Sequence, residues 1–296
     1  MSIEKLDHLS LLMITGDDAL SFLQGQLTND IMLADKAWQY SGYCNPKGRL
    51  LALLSLWRHE DTVYALLDKS LTEAIIKRLT MYIMRSNVNI ELAEHQCFGL
   101  LDTPESIEKI INVKSEIISS INHRHGIYSD GKNHILGYSD RFLYITQNEN
   151  IKPSLINESN QWPDLSIQEG LPEITASTAE MFIPQMLNLD ILKGINFKKG
   201  CYTGQEIIAR MHYLGKSKQR MFVCDIANRG SSKISAGDKI YSDQSLKKSI
   251  GNIVSIQGDK ALAALRIDNE ITNSFLLNET VSIKTITTQP YSLEIN

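Results

Sequence analysis

The sequence predicts an α+β protein that ends in an all-β part. Runs of strand length alternate with helix-period runs over residues 1–215, and hairpin chemistry joins several of the strands. After Gly215 the helical periodicity stops, and short extended runs separated by Gly, Asn, Asp and Ser take over.

Residues 9–15 read as a strand, and Asp17 is placed to cap a helix over about 18–27 whose apolar face is Ala19, Phe22, Leu23 and Leu27. Residues 37–44 and 50–57 are strands joined by the turn Asn45-Pro46-Lys47-Gly48. Residues 62–67 follow as a strand. Ser70 and Glu73 have capping-box spacing ahead of the periodic run 71–84, and 87–92 returns as a strand. A related pattern comes next. Residues 96–101 are extended, Thr103-Pro104 opens a helix toward Val113, and 134–138 and 142–146 form a hairpin across Ser139-Asp140. His123-Arg124-His125 alternates as in a strand, and 157–164 is polar and reads as a connector. The repetition implies two similar α+β units, about 1–93 and 94–215. Beyond a boundary near Lys216, runs at 219–227, 238–241, 248–256, 261–267 and 280–286 suit a small sandwich or barrel over 216–296.

The chain has 296 residues, 43% hydrophobic and 22% charged, with a net charge of −4 and no long basic block. That balance argues against a protein built around phosphate contacts, so no direct nucleic-acid binding is expected. The four cysteines (Cys44, Cys97, Cys201, Cys224) form no C-x-x-C pair, which speaks against a metal or iron–sulfur site held by this chain alone and suits a reducing compartment. The N-terminus has no cationic segment followed by an apolar run, and no window approaches the roughly 18 apolar residues of a membrane helix. A cytoplasmic protein is expected.

Chemistry concentrates in KKGCYTGQEIIAR, residues 198–210. Thr203 and Glu206 have capping-box spacing, Ile207, Ile208 and Met211 give an apolar stripe, and Gly215 is the stop. Cys201 would then face the positive end of a helix with Lys198 and Lys199 close in sequence, a setting that favours the thiolate. Two readings stand for it: a reactive or ligating thiol, and a small buried hydrophobe. Glu206 either closes the capping box or accepts two parallel hydrogen bonds from the amidine edge of a heterocycle. Arg210, four residues on, either pairs with Glu206 or holds an anion in a cleft. Trp162 either stacks on a flat ligand or anchors its connector. The segment 45–49 is a turn first and an anion-binding loop second. Neither a Walker-type loop nor G-x-G-x-x-G nor H-E-x-x-H occurs, which weakens nucleotide-binding and metalloprotease readings.

These residues resemble the YgfZ family of folate-binding, tRNA-modification-associated proteins, related to the T-protein (aminomethyltransferase) of the glycine cleavage system. KGCYTGQEIIAR (199–210) is similar to that family's signature. ITGDDALSFLQGQLTND (14–30), CNPKGRL (44–50), IQEGLPEI (167–174), FIPQMLNLD (182–190) and PYSLE (290–294) extend the likeness in order. The resemblance implies a T-protein-like fold: two ferredoxin-like α+β subdomains and a C-terminal antiparallel β-barrel around an opening that binds tetrahydrofolate or a derivative. It implies a part in the assembly or repair of iron–sulfur clusters in client proteins such as radical-SAM tRNA thiolation enzymes. Cys201 would be the working thiol, with Trp162, Leu9, Glu206 and Arg210 at the folate site. Leu9 stands where the family has a second tryptophan, so a stack worth on the order of 1 kcal/mol is missing. After the glycine turn, true aminomethyltransferases look like G-x-x-D-D, whereas this chain has Gly48-Arg49-Leu50-Leu51-Ala52-Leu53. The implied protein is an accessory factor, with a folate-dependent one-carbon transferase as the alternative.

Overall fold

The computed structural model describes residues 2–147, 151, 155–157, 160–215, 217–228, 230, 232–242, 247–267, 274–277, 281–286 and 289–293. After β1 (Ser2–Lys5) come β2 (Leu9–Thr15), α1 (Ala19–Gln24), β3 (Gln39–Cys44), β4 (Leu50–His59), β5 (Thr62–Asp68), α2 (Thr72–Ile83) and β6 (Asn89–Ala93). Five of the strands make an antiparallel sheet in the order β3-β4-β5-β2-β6. Residues 50–57 of β4 are buried on both faces, which is why that strand reads as a continuous apolar run. The helices pack through Ala19, Phe22 and Leu23 of α1 and through Ile75 and Leu79 of α2.

Neither expected cap forms here. Asp18 rather than Asp17 precedes α1, and both carboxylates accept from Asn87, Asp18 from its amide at 2.7 Å and Asp17 from its side chain at 3.1 Å. They tie the start of α1 to the entry of β6. Ser70 donates to Asp68, which caps a 3-10 turn over Lys69–Leu71 and delays α2 to Thr72.

The second unit runs β7 (Gln96–Leu101), α3 (Pro104–Ile111), α4 (Ser115–Ser120), β8 (Ile127–Ser129), β9 (Asn133–Gly137), β10 (Phe142–Thr146) and α5 (Gln161–Gln168). Its sheet has the order β1-β7-β10-β9-β8, so the N-terminal strand crosses over and pairs with β7. Two expectations are corrected. His123 to His125 is a turn rather than a strand, with His125 at φ +77°. Gln161 to Asp164, read as connector, is the first turn of α5, and Trp162 is buried there against β7. A Cβ on Gly99 of β7 would lie 2.6 Å from the Trp162 ring, so only glycine leaves room for the indole.

After α6 (Gln205–Tyr213) come β11 (Gln219–Ala227), β12 (Lys239–Tyr241), β13 (Ser249–Gln257), β14 (Lys260–Arg266), β15 (Ser274–Leu276) and β16 (Ser282–Thr285). Each strand pairs with two others, in the ring β11-β14-β13-β12-β15-β16 and back to β11. β15 had no counterpart in the sequence reading, and Lys216 lies outside the described residues. Alternation sorts the side chains. Cys224 and Ile226 of β11 and Ala261, Ala263 and Leu265 of β14 fill the interior, while Met221, Val223, Leu262 and Ala264 pack against the rest of the protein. The joint is polar as well. Fully buried Arg220 makes a two-pronged pair with Asp190 at 2.7 and 2.8 Å, and Asn188 donates to the Met221 carbonyl at 2.8 Å. Tyr291 donates to the Gly170 carbonyl at 2.9 Å.

Candidate functional site

The fold gathers the sequence motifs into two places. In the first, the turn at 45–48 abuts the start of α6. Asn45 accepts through its side chain from the Lys47 and Arg49 amides at 2.9 and 3.1 Å, and its carbonyl accepts from Gly48 at 2.9 Å. A Cβ on Gly204 would lie 2.6 Å from the Asn45 carbonyl, and Gly204 itself sits at φ +83°. Gly204 is therefore the residue before α6, and no side chain caps the helix. The expected Thr203–Glu206 capping box is absent because the glycine needed for the close approach occupies the cap position. Ile208 is buried and its carbonyl accepts from Gln185 at 2.7 Å, whereas Glu206, Ile207 and Arg210 are exposed. Among the described residues, Glu206 and Arg210 form no ion pair with each other.

Lys199 also departs from expectation. Its ammonium is buried and donates to the carbonyls of Gln24, Leu27 and Asn29 at 2.8, 2.6 and 2.9 Å. Burial lowers its pKa to about 8. All three donors are taken by the loop 24–29, so this lysine holds the fold rather than serving the thiol. Lys198 stays exposed. Cys201 precedes Gly204 on the surface, and it is the exposed member of four free cysteines. Burial raises the thiols of the other three, that of Cys97 to about 12.

The second place is a cleft between the two sheets and α5. Leu9 and Trp162 line it together, so two positions far apart in the chain share one wall. Tyr40, Leu53, Ser55, Tyr138 and Leu143 line the rest, with Asp68 and Glu173 as its carboxylates. The cleft holds about 560 Å³ of free space to its open mouth, of which the centre of a water molecule can reach only about 60 Å³. A neighbouring cavity with about 370 Å³ of free space shares Ser166, Leu171 and Glu173 with it and reaches Ser255 and Ile256 of β13.

Trp162 is held rigidly. The Arg141 guanidinium lies 4.2 Å over its ring and donates to its carbonyl at 2.7 Å, and Tyr138 meets the indole edge-on at 5.3 Å. Arg141 and Arg124 approach the two oxygens of Glu169 at 3.4 and 3.5 Å. Burial raises the Glu169 pKa despite both arginines. Glu173 faces His8 at 3.8 Å. Burial works to lower the His8 pKa, but the hydrogen bond and charge of Glu173, together with the charges of Asp68 and Glu4, leave it raised.

Cys201, Glu206 and Arg210 do not line this cleft. The run after Gly48 contributes the apolar Leu53 to it, and the carboxylates come from Asp68 at the end of β5 and Glu173 after α5. Sequence reasoning missed both acids. Glu173 lies inside the quoted segment 167–174, but nothing local marks it as facing a cleft. Among the described residues, no group of three or more His, Cys, Asp or Glu is placed to hold a metal, and no helix is long and apolar enough to cross a membrane.

No family model matches the chain. Over 312 aligned residues it is 28% identical to the tRNA-modifying protein YgfZ of Enterobacter sp. (strain 638), covering 99% of this chain and 94% of the relative. Among solved structures it is similar to the glycine cleavage system aminomethyltransferase T from Bartonella henselae. The TM-score is 0.73 at 14% identity, over 96% of this chain and 84% of the other. At that identity the likeness concerns the fold, a mixed α and β architecture with antiparallel sheets. The relative and the structural neighbour match the two sides of the resemblance read from the sequence.

Proposed function

We propose that this YgfZ homologue is a folate-binding accessory factor that supports tRNA modification through the assembly or repair of iron–sulfur clusters in thiolation enzymes of the cytoplasm. The observation that carries the reading is the cleft itself, where Leu9 and Trp162 share a slot with two carboxylates. Its lining is mostly apolar and aromatic with a few polar groups, which suits a planar heterocycle. Trp162 and Tyr138 would wall a pteridine, and Glu173 or Asp68 would accept from its amidine edge, the role first read for Glu206. Leu9 supplies only aliphatic surface to that wall. Tetrahydrofolate carries the one-carbon and redox chemistry; the protein residues bind and orient it.

Cys201, Glu206 and Arg210 form the second functional face in this proposal, outside the slot and exposed to a partner. Cys201 is the working thiol toward the client's cluster or sulfur. We read 1–215 as the folate-binding unit, with ferredoxin-like subdomains at about 1–93 and 94–215, and 216–296 as a barrel. The run from β2 to β6 is strand–helix–three strands–helix–strand, one strand more than a ferredoxin-like unit, and its five strands close one sheet before β7 begins.

A bacterial strain lacking its own homologue tests the proposal. Cys201→Ala is expected to fold yet leave tRNA thiolation unrestored, and the purified protein is expected to form no methylene-tetrahydrofolate from an aminomethyl donor. Full rescue by Cys201→Ala would remove the thiol from the mechanism, and methylene-tetrahydrofolate formation would establish the transferase.

A further inference from the structure

A larger cavity, in which the centre of a water molecule can reach about 670 Å³ against about 60 Å³ in the Trp162 cleft, lies on the other side of an aromatic wall from that cleft. Trp38 forms its floor, while Tyr40 and Tyr138, which line the cleft, sit 5.0 and 4.6 Å from Trp38. The volume is in the range of sites for small organic ligands. Its charge is one-sided. Arg124, Lys193 and Lys198 line it, and among its described lining residues there is no carboxylate, in a chain whose net charge is −4. Arg124 already pairs with Glu169. Lys193 and Lys198 are exposed, with no carboxylate partner among the described residues.

The rim is aromatic. Phe197 and His212 stack with centroids 3.7 Å apart and planes 10° from parallel, and Tyr213 stands edge-on to His212 at 4.7 Å. Tyr213 is 65% exposed. Solvent-facing aromatic surface beside unpaired lysines is the combination that single nucleotides and unpaired strands exploit, rings on rings and phosphate on cations. On the inner wall, His125 Nδ1 lies 3.0 Å from the Trp38 carbonyl. A carbonyl only accepts, so Nδ1 carries the hydrogen and Nε2 is left as an acceptor for a base amino group. Burial lowers the His125 pKa to about 4, which keeps that acceptor free of a proton near neutrality.

We propose that this cavity binds a nucleotide, its base against the Phe197–His212 stack and its phosphate held by Lys193 and Lys198. The net charge of the whole chain argues against a broad nucleic-acid surface; this is a single-nucleotide site set into an acidic protein. It is independent of the folate reading, because the Trp38–Tyr40–Tyr138 wall separates the two cavities.

Calorimetry on the full chain with 5′-AMP, adenosine and a short single-stranded RNA tests it. One AMP per chain is expected to bind, with adenosine at least about tenfold weaker because the lysines contact phosphate. Lys193→Gln with Lys198→Gln is expected to weaken AMP binding about tenfold and flatten its salt dependence. Phe197→Leu is expected to weaken it about tenfold through lost stacking. The double lysine variant changes exposed side chains only, so it keeps the test valid if Phe197→Leu misfolds. Tighter binding of RNA than of AMP, with the same response to the variants, identifies a strand as the source of the nucleotide; the reverse identifies a free nucleotide. The proposal is overturned by absence of binding by both AMP and RNA at about millimolar ligand. Affinities that ignore the variants, or one-for-one displacement of AMP by tetrahydrofolate, would overturn it as well.

Discussion

The Trp162 cleft and the face around Cys201 are built on opposite plans. At the cleft, side chains from two sheets and α5 converge on a narrow slot, and the arginine that holds Trp162 is itself buried. At the Cys201 face, the most distinctive stretch of the sequence is mostly scaffold. Lys199 ties down the loop 24–29, Gly204 admits the Asn45 turn, and Ile208 anchors α6, while Cys201, Glu206 and Arg210 are left on the surface. A distinctive motif therefore need not be a ligand site. Most of this one fixes backbone so that a few exposed groups sit on a rigid platform.

The sharpest way to break this comparison is Lys199→Met. It strands three carbonyls, two of them in buried contacts, and a loss of about 3 kcal/mol in urea unfolding is expected, against less than about 0.5 kcal/mol for Lys198→Ala. Equal effects would mean that Lys199 is not scaffold. Gly204→Ala should cost about 2 kcal/mol or more, since the new methyl meets the Asn45 carbonyl and the residue sits at positive φ. Gly99→Ala probes the other region. Its Cβ falls on the Trp162 ring, so a cost of about 2 kcal/mol is expected, with a shift in tryptophan emission that Gly204→Ala does not share.

Acid titration sharpens the picture further. Burial lowers the pKa of His125 to about 4 and that of His134 to about 3, both below the usual 6.5. The unfolded chain binds those protons first, so stability is fully present above pH 6.5 and is lost as pH falls toward 4 and then 3. His134→Asn should reduce the slope of stability against pH in that window by about one proton. An unchanged slope would show that His134 is not held neutral. The smallest effect belongs to Thr203→Ala. Loss of a true N-cap costs about 1 kcal/mol, and because Gly204 holds that position a change under about 0.5 kcal/mol is expected in thermal unfolding.

Much of the fold was legible. The hairpin at 45–48 and the strand 219–227 match the reading because turn chemistry and alternation are local signals. The misses are tertiary. β1 pairs far along the chain, with β7, and β15 joins the ring by pairing back to β12 as well as to its neighbour β16. Trp162 stood between stacking on a ligand and anchoring a polar connector, because the space that buries it is made by Gly99 on another strand. For the candidate site, Leu9 and Trp162 were named through the resemblance, and both line the cleft. Asp68 and Glu173 stayed hidden because nothing in their local sequence distinguishes a carboxylate aimed at a cleft from one aimed at water. The capping box at 203–206 failed for a similar reason: the spacing was present, but a close approach by the Asn45 turn decided the cap.

The central claim is that folate belongs to the slot and the thiol to a separate face. Calorimetric titration of tetrahydrofolate into the parent protein, Glu173→Gln, Trp162→Leu and Cys201→Ser tests it most directly. Parent-like affinity is predicted for Cys201→Ser, with losses of about tenfold for the two cleft variants. Loss of binding in Cys201→Ser with the cleft variants unaffected, or no binding by the parent protein, would contradict it.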